Sequence, residues 1–312
     1  DGTDLGMSYS RWDVVYIDNI VLYPAKCVLS ESSLKADITE DCVVNYEDLA
    51  YITEGWLRGS SAINIAAANP VGLWLFDDAA NLTKATIGNN LIVSGSAPTA
   101  VAGITDGDGA AQIAVGSYYK VNHGIAANPN KVNEYTLLWD ISIPTASFTN
   151  PLAWISLCEY DTTQATDGDL SINIANGAGR FGANDTGYVP TTAPADQLIS
   201  AEKYYQLVCS VKNGEFFTYY INGQLVLNGT TQAFDGRFGI ESQLWLFRDN
   251  DGEDLPVDCS TFAIWDRALT AAEVKSLVPT QLRKGDINED ATIDFADYSI
   301  LANEWLVEDL WP

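Results

Sequence analysis

The sequence predicts a mainly β protein: a two-sheet antiparallel jelly-roll sandwich carrying two small loop–helix units and one extra N-terminal strand. Three observations predict it. From Pro70 to about Leu277, short β-branched and aromatic segments alternate with Asn-Gly and Asp-Gly turn signals, the pattern of an all-β sandwich. An acidic stretch of the chain occurs twice, once before and once after that region. The chain of 312 residues is 47% hydrophobic and 19% charged, a globular composition with ample length for a large core.

In chain order, residues 1–10 are polar and Gly-rich. Trp12–Tyr23, WDVVYIDNIVLY, reads as one strong strand with no sequence-adjacent partner, and Pro24 ends it. Residues 1–26 therefore form an orphan-strand segment. Its large apolar residues call for a partner, which a longer protein supplies or which a second subunit supplies by β-strand addition.

Residues 27–60 contain the first acidic stretch, Lys35–Leu57, and residues 281–312 contain the second, Lys284–Leu306. The two align at an offset of 249 positions, with Asp37, Asp41 and Asp48 falling on Asp286, Asp290 and Asp297. Oxygen donors at loop positions 1, 3, 5, 9 and 12, with a backbone carbonyl at 7, can surround one hard cation. In the first copy these are Asp37, Thr39, Asp41, Asn45 and Asp48 with the Val43 carbonyl. In the second they are Asp286, Asn288, Asp290, Asp294 and Asp297 with the Thr292 carbonyl. Calcium suits such a cage better than magnesium, which demands stricter geometry. Apolar residues follow each loop at helical spacing: Leu49, Ile52 and Trp56, then Tyr298, Leu301 and Trp305. The alternative is an acidic turn capping a helix, with no metal.

Between them, after a small-residue linker at Gly59–Asn69, residues 61–280 carry the sandwich. Its candidate strands are Tyr135–Ile143, Leu152–Tyr160, Leu170–Ile174, Tyr204–Lys212, Glu215–Leu227, Gly236–Phe247 and Thr261–Trp265. Asn213-Gly214 and Asn222-Gly223 fit tight hairpins, and Asn228-Gly229, Asp235-Gly236 and Asp251-Gly252 give further turn signals. Thr270–Leu277 opens with Thr-x-x-Glu, a capping box at the start of a short helix.

The 42 acidic residues against 16 basic ones give a net charge of −26. Such a chain repels nucleic acid and anionic membrane surfaces and suits cations, or else its acidity only aids solubility. No apolar run is long enough to span a membrane. No signal peptide opens the chain, which reads as a processed end or a fragment. Of the five cysteines, Cys27 and Cys42 bracket the approach to the first loop. A bridge closing about 15 residues contributes roughly 3 kcal/mol by chain entropy. At most two of Cys158, Cys209 and Cys259 can pair, and Cys158–Cys259 is the pair expected from their positions at strand ends. Disulfides place the chain in an oxidising, extracellular setting. Asn81, Asn184 and Asn228 are glycosylation sequons.

The acidic copies resemble the calcium-binding, EF-hand-like repeats of type I dockerins. The resemblance implies calcium binding and, in the family, recognition of a cohesin partner. This chain departs from the pattern at loop position 6, where Cys42 and Ala291 replace the usual Gly. It departs again in the wide separation of the copies and in Tyr46-Glu47 and Phe295-Ala296 at the recognition positions. The central region resembles the laminin-G-like, concanavalin-A-like jelly-roll superfamily through GLWLFDD at 72–78, NEYTLLWDISIP at 133–144, EFFTYYINGQLV at 215–226 and STFAIWDRALTAAEV at 260–274. That superfamily contains sugar binders, protein binders, enzymes and structural modules, so function does not follow from it.

Candidate chemistry outside the repeats is sparse. The acid pattern of the superfamily's glycosidases, Glu-x-Asp-x-x-Glu, does not occur, and Glu159 with Asp161 is the nearest approach. His123 is the single histidine, with no Gly-x-Ser-x-Gly elbow to serve, and reads as a turn residue. Asp249, Asp251, Glu253 and Asp254 form a compact acidic turn, either a third calcium site of the kind the superfamily places in rim loops or a solvated hairpin. Asp106 and Asp108 are a weaker version. Trp74, Trp139, Trp154, Trp245 and Trp265 lie in strand patterns, which assigns most tryptophans to the core rather than to a sugar platform.

The leading expectation is an extracellular, non-catalytic, calcium-binding structural protein, a unit of a surface assembly or fibre. It would join copies of itself or another extracellular protein by strand donation and calcium-rigidified repeats. The alternative is a carbohydrate-binding or adhesion module of a secreted polysaccharide-degrading system, and the third reading is a remote glycoside hydrolase.

Overall fold

The computed structural model describes residues 26–27, 32–55, 65–104, 108–151, 153–160, 168–249, 253–279, 285–288, 293–308 and 310–311. The expected strand Trp12–Tyr23, together with Asp106, Asp161, Asp251, Asp290 and Thr292, lies outside these residues.

The central region is a sandwich of two antiparallel sheets. One has seven strands: β11 (Gly187–Tyr188), β10 (Ala178–Ala183), β9 (Asp169–Ala175), β8 (Trp154–Glu159), β15 (Leu244–Leu246), β6 (Tyr118–Val121) and β3 (Ile92–Ser94), in that spatial order. The other orders β14 (Gln224–Gly229), β13 (Phe216–Ile221), β12 (Tyr204–Lys212), β7 (Glu134–Ser142), β16 (Val257–Trp265), β5 (Gly109–Ile113) and β4 (Thr99–Ala102), and β2 (Gly72–Trp74) also pairs with β16. Period-two alternation explains how each strand serves the core. In β7, Leu137, Trp139 and Ile141 enter the core between the sheets, where Phe262 stacks against Trp74 and Trp139 at 5.5 and 5.6 Å. Leu138 faces the other way, into a second cluster with Val208, Tyr220, Ala263, Trp265, Val274 and Leu277. Helix α3 (Ala271–Ser276), which follows the one-turn helix α2 (Thr145–Phe148) in chain order, contributes to that outer cluster, and Thr270 and Glu273 form the expected capping box. β7 is therefore buried on both faces and reads as a nearly continuous apolar run.

The tight hairpin of β13 and β14 turns at Asn222 and Gly223, whose φ values of 47° and 76° are the pair a two-residue primed turn requires. Two expectations need correction. The strand over Gly236–Phe247 shrinks to Leu244–Leu246, because Phe238 and Ile240 sink fully into the core and Tyr135 Oη donates to the Phe238 carbonyl at 2.7 Å. Asn228-Gly229 is not a turn but the end of β14, where Gly229 pairs with Phe217. The cysteine expectation divides. Cys27 and Cys42 form the disulfide, with Cα atoms 5.3 Å apart. Cys158 and Cys259 do not pair: the first lies in β8 and the second in β16, in opposite sheets, and both thiols are buried and free, as is Cys209.

Outside the sandwich, helices α1 (Tyr46–Gly55) and α4 (Phe295–Asn303) pack together with their preceding loops, and β1 (Lys26–Cys27) pairs antiparallel with β17 (Leu310–Trp311).

Candidate metal centres

The two acidic stretches meet in space. Their shared core consists of Ala36, Ile38, Val44 and Ile52 from the first with Ile293 and Leu301 from the second, flanked by Leu49, Tyr51, Ile287 and Ile300. Equivalent positions of the two copies contribute to this core: Ile38 and Ile287, Val44 and Ile293, Ile52 and Leu301. Backbone bonds stitch them, with Val44 N donating to the Val307 carbonyl at 3.0 Å and Leu306 N donating to the Val44 carbonyl at 2.7 Å. Ala36 N donates to Glu304 Oε2 at 2.8 Å. Gly285, the counterpart of Ala36, lies so near the α1 backbone that a Cβ there would sit 2.7 Å from the Tyr51 carbonyl oxygen.

Within each copy the same carboxylate does the same work. Asp48 is fully buried; its Oδ1 accepts from Ile38 N and Thr39 N at 2.7 and 2.9 Å, and its Oδ2 from Asn45 N at 2.8 Å. Asp297 is also fully buried, accepting from Ile287 N and Asn288 N at 2.7 and 3.2 Å and from Asp294 N at 2.9 Å. Asn45 and Asp294 cap their helices through Oδ1, to Glu47 N and Ala296 N. In the first loop Asp37 accepts from Asp41 N and Cys42 N, and Asp41 from Val43 N. Thr39 Oγ1 lies within 3.4 Å of Asp37 Oδ1 and 3.1 Å of Asp48 Oδ1, which places three of the expected donors around one point. All are hard oxygen donors, the set that fits calcium. Cys42, standing where Gly is usual, adopts φ 64° and Glu40 φ 62°. Left-handed conformers cost non-glycine residues about 1–2 kcal/mol; Cys42 is also the residue bonded to Cys27. Of the second loop, Asp286, Asn288, Asp294 and Asp297 are described.

A second acidic group lies on the sandwich. Asp169, Asp249 and Glu253 bring carboxylate oxygens within 4.8 Å of one another, the first two almost fully buried. Asp249 and Glu253 belonged to the expected acidic turn. Asp254 does not join them, because it pairs with Arg248 at 2.9 Å. Asp169 was missed. Its signal was alternation: Leu170 and Ile172 face the core, so Asp169 faces out of the sheet, opposite Glu159. Carboxylates this close repel one another unless a cation or proton intervenes.

The remaining candidates are structural in their contacts. His123 is buried; its Nδ1 accepts from Ile125 N and its Nε2 lies 2.6 Å from the Glu241 carbonyl oxygen, so backbone groups use both ring nitrogens. Burial holds its pKa below the ordinary imidazole range. Asp108 fixes its own loop by accepting from Ile104 N at 2.7 Å, and burial lifts its pKa to about 6. Trp74, Trp139 and Trp265 are core residues. Trp154 and Trp245 lie half-buried on the outer face of the seven-stranded sheet, engaged with Tyr188 at 5.2 Å and with Tyr118 at 5.2 Å, the latter pair under Lys120.

A search of curated proteins finds no match. Solved structures similar to the chain include domain 4 of a GH43 extracellular arabinanase from Geobacillus stearothermophilus in complex with arabinotriose, at 17% identity and a TM-score of 0.48, covering 67% of this chain and 98% of that one. They also include the binding domain of botulinum neurotoxin serotype D, at 14% identity and a TM-score of 0.48, covering 68% of this chain and 51% of that one. A Trypanosoma rangeli sialidase matches at 15% identity and a TM-score of 0.49, with 73% of this chain and 34% of that one covered. This chain thus spans about half the length of the neurotoxin binding domain and a third of the sialidase. Residues 127–275 match a laminin-G-type family model described as the concanavalin A-like lectin/glucanases superfamily, and this part of the chain is a domain of that kind.

Proposed function

We propose that this is an extracellular, non-catalytic, calcium-binding structural protein, in which two dockerin-like acidic repeats form one calcium-stabilised module and the sandwich is inserted between its halves. The observation that carries the reading is the mirrored pair Asp48 and Asp297: two fully buried carboxylates, far apart in sequence, each accepting three equivalent backbone N–H groups beside further oxygen donors. The Cys27–Cys42 bridge supports an oxidising compartment. The apolar stretch Trp12–Tyr23 is the sequence feature that fits strand addition to a second copy.

Calorimetric titration of the full chain with calcium tests the metal reading. Two sites are expected, one lost in Asp48→Ala and the other in Asp297→Ala. Absence of calcium uptake by the full chain would refute it. Light scattering with calcium present, on the full chain and on a chain lacking residues 1–24, tests assembly: the reading expects oligomers in the first and not the second.

A further inference from the structure

The sandwich carries a cleft of about 520 Å³ whose described lining includes no residue of either acidic loop. Its walls come from the segment leading into β7 (Ile125, Ala126, Asn128, Glu134), the end of β12 and its turn (Lys212, Asn213, Glu215), and Phe234 with Asp266.

The frame behind this cleft is rigid for reasons visible in its hydrogen bonds. Asp235 accepts from Lys131 N, Asn133 Nδ2 and Asn130 Nδ2. Asn133 Oδ1 accepts from Asp235 N and Asn213 Nδ2, and Asn213 N donates to the Asn133 carbonyl. Asn213 Nδ2 also donates to the Phe238 carbonyl, which Tyr135 Oη already holds. Three separate loops are thus tied at one knot, so a ligand bound there orders little that is not already ordered.

What the cleft presents is specific. Phe234 is 55% exposed, more than any other Phe, Tyr or Trp among the described residues of the sandwich. The sheet-face aromatics, by contrast, are occupied by each other: Trp154 by Tyr188, and Trp245 by Tyr118 and Lys120. Beyond Lys212, whose ammonium lies 2.7 Å from Glu215, the charged groups of the cleft are carboxylates: Glu134, Glu215 and Asp266. A ligand for this cleft needs a flat apolar face to lie on Phe234 and several O–H donors at its edge. It must also carry no negative charge, given the three carboxylates and a net charge of −26. A pyranose or furanose ring meets all three requirements.

We propose that this cleft is a binding site for an uncharged saccharide, with Phe234 as the stacking platform and Glu134, Glu215 and Asp266 as hydroxyl acceptors. This site goes beyond the calcium reading and does not depend on it. The test uses the full chain in calcium, with arabinotriose, xylotriose, cellotriose and mannotriose as neutral probes and trigalacturonate as the acidic one, followed by calorimetry and saturation-transfer NMR. At least one neutral probe is expected to bind. Phe234→Ala should weaken it about tenfold, the double change Glu134→Gln with Asp266→Asn should weaken it comparably, and neither should shift the melting temperature. Trp154→Ala and Trp245→Ala should leave binding unchanged. Three results would each overturn the proposal: no neutral probe binding, neutral binding that survives both cleft variants, or trigalacturonate binding as tightly as the neutral probes. Loss of binding confined to the tryptophan variants would move the site to the sheet face and overturn it equally. The calcium titration is read separately, so failure here leaves that reading standing.

Discussion

The sandwich and the split module are held together by different physics. The sandwich buries a continuous core of aliphatic and aromatic side chains between two sheets, and a second layer under α3. Among its described residues the module has a core cluster of six buried hydrophobic side chains, Gly285 packed against a helix backbone, one disulfide and two fully buried carboxylates. A core of that size contributes little on its own. Small domains usually need disulfides, metal or association to fold. The comparison teaches that acidity plays opposite parts in one chain. The module concentrates carboxylates where a cation would neutralise them, whereas the sandwich buries Asp140 under a cover of neutral groups.

The largest expected effect separates the two regions directly. Chelating calcium should split thermal unfolding into two transitions, the module melting at least about 10 °C lower while the sandwich transition stays in place. This follows because a ligand bound only by the native state stabilises it by mass action. Scanning calorimetry with and without chelator reads it, and a single unshifted transition would break the comparison.

The second effect belongs to the sandwich and runs the other way with pH. Asp140 is fully buried and burial lifts its pKa to about 7, with Gln206 and Thr261 beside it pulling down and Asp108 pushing up. Gln206 Nε2 donates to Asp140 Oδ1 at 3.1 Å, while Asp140 Oδ2 and Gln206 Oε1 have no partner. A neutral Asp140 adds an O–H donor to a buried site whose unsatisfied atoms are both acceptors. The folded-state pKa is raised above the unfolded value, so this contribution is full below about pH 4 and is lost as pH rises towards 7. Asp140→Asn offers an N–H in place of the O–H. It should stabilise the sandwich at pH 8 by on the order of 4 kcal/mol relative to the parent and flatten the pH dependence, as read from urea midpoints between pH 4 and 8.

Reducing the Cys27–Cys42 bond should cost the module roughly 3 kcal/mol and leave the sandwich transition unmoved. Cys158, Cys209 and Cys259 make no bond whose loss could confuse the measurement. Smaller still, Gly285→Ala forces a Cβ against the Tyr51 carbonyl. It should lower the module's melting by an amount worth about 1–3 kcal/mol of overpacking, detectable in the calcium-loaded form.

Much of the sandwich was legible because its long strands obey local rules. β7, β12 and β16 are β-rich and continuous, and Asn222-Gly223 and Thr270-x-x-Glu273 are turn and cap signals whose mechanism is local. The strands that escaped notice, such as β4 (TAVA), β5 (GAAQI) and β10 (AGRFGA), are built from alanine and glycine, whose strand preference is weak. Their state is set by neighbouring strands, which a linear reading does not see. The acidic loops were legible by spacing. Their meeting was not, since nothing local to Ile52 or Leu301 announces that the two share one core. Asp169 escaped for the same reason: it joins Asp249 and Glu253 only through sheet topology.

The pairing of β1 with β17 has a mechanical consequence. Tension applied to the chain beyond residues 26 and 311 reaches that two-stranded contact first, and then the stitched halves behind it, where Val44 holds Val307 and Leu306. The sandwich hangs between those halves as a loop and carries none of the pull while they stay joined. The module is therefore a mechanical bypass, and the strength of the contacts between its halves sets how much force the bypass tolerates before the sandwich is drawn into line.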